Sequence, residues 1–508
     1  MKTLRRLRAV AGLLLGGPPV AFAALACGGG ASGTCGGDGG PAVVACTCAD
    51  GRAGTAPCSA DEGLAGACTC TSEADGTWVL RWGDERAQDT IALAAVDDGL
   101  VVVGGFEGRI VVGTETLVSA GGRDILVVRL DPDGGARWAR RYGGPGDDFA
   151  ASVAVGEEGA LYVGGGFSGR LAMGDLPELQ ADAQTDGFVA QFDAEGTPQW
   201  SRAWGSDGFD AFTRMTFDPV AGDVAVGGYF QGAVAHDDGT LLGGGGTDTM
   251  VARLGPDGAS RFFTRLGGSA NDFLGGLAVT GDGATWVAGG FQGRLGQLKD
   301  SAQGNAYLAR VDPDGVYDFG TDTAFFVGEG RDDARGVAVV GERVWVAGRF
   351  TRRLERREGP GAQPGGREAA GAGDIFLTWS ASVTEFGELT TYGDGAREEV
   401  TTLVSDGGAR LLLAGGFEGM VDFGLGALEV PAPETSDGYA VALDGVTGAA
   451  IAQVSVASTG FAQVESAAFD PVTDRWWLAG RFQGELTLNG TRRLSEGASD
   501  LFVAAVRP

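Results

Sequence analysis

From Trp78 to Val506 the apolar residues fall in runs of four to seven, broken by glycine and aspartate, and nowhere sustain a 3.6-residue period. Runs of that length, rich in Val, Phe, Tyr and Trp, predict strands joined by tight turns and leave little room for helices. One stretch shows the pattern. Residues 149–155 alternate and stop at Gly156-Glu-Glu-Gly159, and 161–163 run into Gly165-Gly166-Phe167. After a polar loop, 188–192 and 199–204 are separated by the turn Asp193-Ala-Glu-Gly196. The unit is four β segments, with the loop between the second and the third.

This unit recurs. A small-Gly-x-Phe-type tetrad places its aromatic at Phe106, Phe167, Phe230, Phe291, Phe350, Phe417 and Phe482, at intervals of 59 to 67 residues. Self-similarity at a near-constant period marks a repeat architecture. The paired glycines before the aromatic allow close sheet contact, and the Phe is expected to fill space between neighbouring sheets. A small polar residue opens the third segment of every copy: Asp124, Asp186, Asp248, Asn305, Asp374, Asp437 and Asp500. Such a residue is expected to hold the start of the strand by bonding to backbone two residues on. Trp138, Trp200, Trp286 and Trp345 stand at strand positions, where packing between blades accounts for them.

Four-stranded units repeated about every 60 residues hide their sheet edges by radial closure. The predicted fold is therefore all-β: a seven-bladed β-propeller of four-stranded blades over residues 77–508. The chain enters with a lone fourth-type segment, 78–82, and ends on a third-type segment, 501–506. Pairing these two completes the last blade, so the N- and C-terminal strands share it. Tyr142-Gly-Gly144 with Asp148, then Tyr162 to Phe167, then Asp186 to Gly196 resemble the bacterial seven-bladed propeller repeat family, which implies the same fold. The fifth copy departs from it, with Arg349 in place of a glycine and a long loop at 355–373. So does the seventh, where Ala457-Ser458 replaces Gly-Gly. Distorted blades are expected there.

The start of the chain is different. Lys2, Arg5, Arg6 and Arg8 precede an apolar stretch, 9–20, and small residues lead to Cys27, so residues 1–26 read as an export signal. Ala24-Leu25-Ala26-Cys27 resembles the lipobox of bacterial lipoproteins, which implies lipidation at Cys27 and attachment to the outer membrane or cell surface. Ordinary cleavage, giving a secreted or periplasmic protein, is the alternative. Residues 27–76 then form a Gly/Cys-rich tether. Its remaining cysteines, Cys35, Cys46, Cys48, Cys58, Cys68 and Cys70, are even in number and are disulfide candidates in an exported chain.

Charge and chemistry narrow the function less than the fold. The net charge of −29 opposes nucleic acid as a partner. The single histidine, His236, excludes histidine dyads, triads and two-histidine metal sites, and a surface-loop position accounts for it. The turns Asp131-Pro-Asp-Gly134 and Asp312-Pro-Asp-Gly315 resemble the start of a calcium loop but lack the later ligands. No cofactor is expected. An acidic series precedes the first strand of six copies: Asp89, Asp148, Asp210, Asp272, Asp333 and Glu398, with Ala462 breaking it. In a propeller these residues form a ring at the mouth of the channel, either capping the loops between blades or serving a cation or carbohydrate. The expected function is a non-catalytic, monomeric cell-surface lipoprotein, a binding or structural scaffold for a protein or glycan ligand. The alternative is a carbohydrate-active hydrolase or lyase using carboxylates on the channel face.

Overall fold

The structure is a computed structural model. It describes residues 76–508 except 87, 89, 238, 296–297, 300–303, 359–360, 363–365, 431 and 433, together with three strands before them. The chain divides into two units, Met1–Ser72 and Glu73–Pro508. In the first, Val43–Thr47, Ala53–Pro57 and Thr69–Cys70 form an antiparallel sheet. The leader, Cys27, Cys35, Cys48, Cys58 and Cys68, and the side chains of Cys46 and Cys70, lie outside the described residues, as does Asp89.

The second unit is the seven-bladed propeller. Blade 1 runs Thr90–Val96, Gly99–Phe106, Asp124–Leu130 and Ala136–Tyr142 from the axis outward. Blade 2 is Asp148–Val155, Leu161–Phe167, Asp186–Phe192 and Pro198–Trp204, and blade 3 is Ala211–Asp218, Asp223–His236, Gly239–Leu254 and Ser260–Leu266. Blade 4 begins with Asp272–Val279, blade 5 with Asp333–Val340, blade 6 with Glu398–Ser405 and blade 7 with Phe461–Phe469. These first strands touch in chain order, and the seventh touches the first, so the ring is closed. Trp78–Trp82 pairs antiparallel with Asp500–Val506, from Trp78 opposite Ala505 to Trp82 opposite Leu501, and supplies the outer strand of blade 7. Arg81 reinforces the closure with ion pairs to Asp500 (2.6 Å) and Glu496 (2.7 Å).

The core lies between blades. Each of seven hydrophobic clusters among the described residues joins two neighbouring sheets, and the tetrad phenylalanines are all within 1% of full burial. Each such ring contributes about 2 kcal/mol by burial. The tryptophans act at the same seams. Trp200 of blade 2 lies over the turn glycine Gly258 of blade 3, where an added Cβ would come within 2.9 Å of the indole, and its Nε1 donates to the Pro256 carbonyl at 2.8 Å. Trp78 does the same at Gly134 and Pro132, across the closing seam.

The irregular copies differ from one another. In blade 5 the outer strand is split into Glu385–Phe386 and Thr390–Tyr392, both paired with Asp374–Ser382. The hairpin that begins at Arg353–Glu358 crosses to extend blade 4, pairing with Thr323–Gly328. Blade 7 keeps four regular strands, and its hairpin strand Glu485–Leu488 pairs with Ala450–Ser458 of blade 6. Ser458, in place of a repeat glycine, donates its hydroxyl to the Gln483 carbonyl at 2.7 Å and so ties the two blades.

Candidate functional site

The channel is built from the middle of the seven first strands, and a bulge decides what faces it. In blades 2 to 7 the first strand carries one extra residue against the second: Ala151, Thr213, Gly275, Arg335, Thr401 and Glu465. A bulge re-aims side chains, and all six of these residues line the channel, whose volume is about 190 Å³. The lining is mostly small and apolar. Its charged members are Arg335 and Glu465 at the bulge and Arg214 immediately after it. Glu465 is paired with Arg481.

The acidic positions lie away from the open channel. Asp148, Asp210, Asp272 and Glu398 stand at the head of their first strands, all within 2% of full burial. Each of the first three reaches back four residues to a backbone N–H: Gly144 to Asp148 (2.7 Å), Ser206 to Asp210 (2.6 Å) and Gly268 to Asp272 (2.7 Å). The third-strand series uses the same device. Ala120, Asp182, Gly244, Ala370 and Glu496 donate their N–H groups to Asp124, Asp186, Asp248, Asp374 and Asp500. These bonds run four residues back rather than two residues on, so the aspartates staple the loop that delivers the strand.

The two series meet across one glycine at three junctions, at Gly143, Gly267 and Gly393. A Cβ on Gly267 would lie 2.1 Å from Asp248 Oδ1 and 2.9 Å from Asp272 Oδ2, and Gly143 stands likewise between Asp124 and Asp148. No side chain larger than hydrogen fits, which explains the first glycine of the aromatic-Gly-Gly motif. One oxygen of each of these four carboxylates has no hydrogen-bond partner. Burial first, then the neighbouring carboxylate, pushes Asp148 and Asp272 up to about 7. Burial with the charges of Asp374 and Asp394 pushes Glu398 up to about 9.

Blade 5 corrects the series by one residue. Asp333 pairs with Arg349, so the partner of the tetrad aromatic Phe350 is Asp332, as Asp272 is of Phe291. Asp332 donates its backbone N–H to Gly304, accepts from the Thr351 N–H at 3.1 Å, and is pushed by burial up to about 7. The cap is therefore Asp332. Asp333 sits one position inward, where blades 2 and 4 have Phe149 and Phe273. It is held by Arg335 (2.8 Å), Arg349 (3.3 Å) and Arg331 (3.8 Å). Burial alone would raise its carboxyl, but these arginines overcome that and hold it below the ordinary value. Arg349 also pairs with Glu399 at 2.7 Å, and the Arg335 guanidinium lies 4.7 Å from the Phe273 ring centre.

A cavity of about 420 Å³ opens between blades 3, 4 and 5, walled by Thr213, Arg214, Tyr229, Phe273, Gln292, Arg331 and Arg335, with the buried Asp272 and Asp332 also in its lining. Arg214 and Arg335 line both this cavity and the channel. Neither arginine stands out along the chain as a site residue; only the bulge brings them to the axis. The remaining candidates are structural. His236 stacks on Phe263 at 4.9 Å, and the Asp312 carboxylate accepts from the N–H groups of Asp314 and Val316 within its own turn. Among the described residues no group of three or more His, Cys, Asp or Glu is placed to hold a metal ion.

No family model matches the chain. Over 360 residues it is 25% identical to the regulatory protein FlaEY of Caulobacter vibrioides, a match that takes in 65% of this chain and 36% of that protein's length. Among solved structures it is similar to the Dos1 propeller (9% identity, 86% of this chain and 97% of that one, TM-score 0.39) and to a protein from Lactobacillus plantarum (11%, 78% and 98%, 0.40). It is also similar to puromycin hydrolase (16%, 89% and 59%, 0.39). Likenesses this distant carry no argument about function, and the propeller rests on the sheet order and ring closure described above.

Proposed function

We propose that the chain is a non-catalytic binding scaffold that takes its ligand on the channel face, at the cavity between blades 3, 4 and 5. The observation that carries this reading is how the carboxylates are used. A glycoside-cleaving site needs two carboxyl groups about 5–10 Å apart facing the substrate. Here the repeated acids are buried, the aspartates among them bonded to loop backbone, and Glu465, the one carboxylate among the described channel-lining residues, is paired with Arg481. The two carboxyl groups that line the cavity, Asp272 and Asp332, are buried and bonded to backbone, and its remaining polar groups are arginine, amide and hydroxyl, groups suited to holding a ligand. The leader and the lipobox-like Cys27 support an exported, membrane-anchored setting, with the ligand met outside the cytoplasm.

The test is a glycan- and peptide-array screen of the full chain, followed by mass analysis of each hit after prolonged incubation. The expected result is a hit recovered intact and weakened by Arg335→Gln. Recovery of cleaved ligand would overturn the non-catalytic reading in favour of a carbohydrate-active enzyme.

A further inference from the structure

Arg214 is the least explained charge in the propeller. Its Nε donates to the Gly275 carbonyl at 2.7 Å and its Nη1 to the Thr213 carbonyl at 2.8 Å, both backbone groups exposed by neighbouring bulges. Among the described residues no carboxylate stands within ion-pair distance of it. The nearest charges acting on it are Arg335, which repels it, and Glu465, which is committed to Arg481. Burial, with Arg335 second, pulls its guanidinium down to about 10. A guanidinium in this position gains from any anion that reaches it, because the low-dielectric walls strengthen the attraction and the planar fork matches a carboxylate.

The surroundings select the anion further. Arg335 and Arg331 flank the same cavity, and the single carboxylate of Asp333 is already shared among them and Arg349. Asp272 and Asp332, which also line it, form no ion pair with these arginines, and burial raises both carboxyls to about 7, so they offset the arginines only in part. The cavity is therefore a positive spot in a chain of net charge −29. Its uncharged polar wall groups, Thr213, Tyr229, Asn271 and Gln292, are donors and acceptors of the kind that bond sugar hydroxyls. A run of carboxylates, as in an acidic peptide, would press its remaining charges against an acidic surface. A single acid group on a hydroxyl-rich ring would not.

We propose that the cavity between blades 3, 4 and 5 binds the uronic-acid end of an acidic oligosaccharide, its carboxylate on Arg214 and Arg331 and its hydroxyls toward Thr213, Tyr229 and Gln292. This rests on the binding-scaffold reading above and names its ligand class.

The test is calorimetric titration of the full chain with three probes: a trisaccharide of two neutral sugars ending in a single galacturonate, the same trisaccharide with its carboxyl reduced to an alcohol, and tri-glutamate. The acidic trisaccharide is expected to bind, the reduced form to bind at least ~10-fold more weakly, and tri-glutamate to bind no better than the reduced form. Arg214→Gln and Arg331→Gln should each weaken the acidic trisaccharide by about 10-fold. Arg331 is more than half exposed, so its variant keeps the test decisive if Arg214→Gln fails to fold. Absence of binding at millimolar concentration, equal binding of the reduced form, tri-glutamate binding as tightly, or unchanged affinity in folded variants would each overturn the proposal. Binding accompanied by cleavage would uphold this site and overturn the non-catalytic reading. No binding here, with an intact array hit elsewhere on the channel face, would do the reverse.

Discussion

Two rings of positions run around the channel mouth one residue apart, and they obey different rules. The outer ring holds Asp148, Asp210, Asp272, Asp332 and Glu398, each buried at the head of a first strand, and the four aspartates accept hydrogen bonds from loop backbone. The inner ring holds Phe149, Ala211, Phe273, Asp333, Glu399 and Gln463, with no residue type in common. Repetition in the outer ring follows from a mechanical need that every junction shares, namely a loop with backbone N–H groups to satisfy. Variation in the inner ring follows from the absence of such a need, and there the arginines gather. Asp332 and Asp333 make the contrast within one dipeptide. Both are buried, yet one is pushed up to about 7 by burial and the other is held down by three guanidinium groups.

The strongest test of this contrast is Asp333→Asn. It leaves the buried Arg349 with Glu399 alone and the part-buried Arg335 without its counter-charge, and should cost about 3 kcal/mol, read as a lowered urea midpoint. The neighbouring Asp332→Asn keeps an acceptor for Thr351 and should cost about 1 kcal/mol or less at neutral pH. Equal losses for the two would erase the distinction between the rings.

Stability against pH separates them next. The outer-ring carboxyls have folded pKa values above their unfolded ones: about 7 for Asp148, Asp272 and Asp332, and about 9 for Glu398. The folded state therefore binds more protons than the unfolded state. The stability they contribute is fully present below about pH 4 and is lost as pH rises toward 9. Asp333 works in the opposite sense. Its contribution is present above the unfolded value near 4 and is lost as pH falls through its lower folded value. Denaturation midpoints measured from pH 3 to 10 should peak in mildly acid solution and decline toward pH 9. A plateau from pH 5 to 9 would contradict the assignment of the outer ring.

Glu398→Gln should give a smaller effect of known sign. It replaces a buried acid by a neutral group of the same shape, so it should raise stability by about 1 kcal/mol at pH 9 to 10 and change little at pH 5. Loss of stability at both pH values would mean that Glu398 is held as a charged group.

Much of this protein was readable from the chain because its copies could be compared with one another. Seven Phe tetrads required seven blades, since each ring must be buried against a neighbouring sheet and only closure supplies one to all of them. The tryptophans at strand positions announced the seams, and the two unpaired end segments announced their own pairing. Even the glycine between Asp248 and Asp272 had its place in the motif before the two carboxylates that crowd it were visible.

What the chain could not disclose depends on register and convergence. The acidic series was read as Asp333 in blade 5 because two aspartates stand side by side, and only the ladder opposite Arg349 and Phe350 selects Asp332 as the cap. The bulge residues Ala151, Thr213, Gly275, Arg335, Thr401 and Glu465 share no chemistry, so no residue pattern marks them. A bulge is a property of how two strands align. Arg214, Arg331 and Arg335 lie on two blades, about 120 residues apart at the extremes, and become neighbours only when the ring closes. Local sequence determines strands, turns and the faces they must bury. Which side chains meet at the axis is decided by the closed ring, because that meeting depends on all seven strands at once.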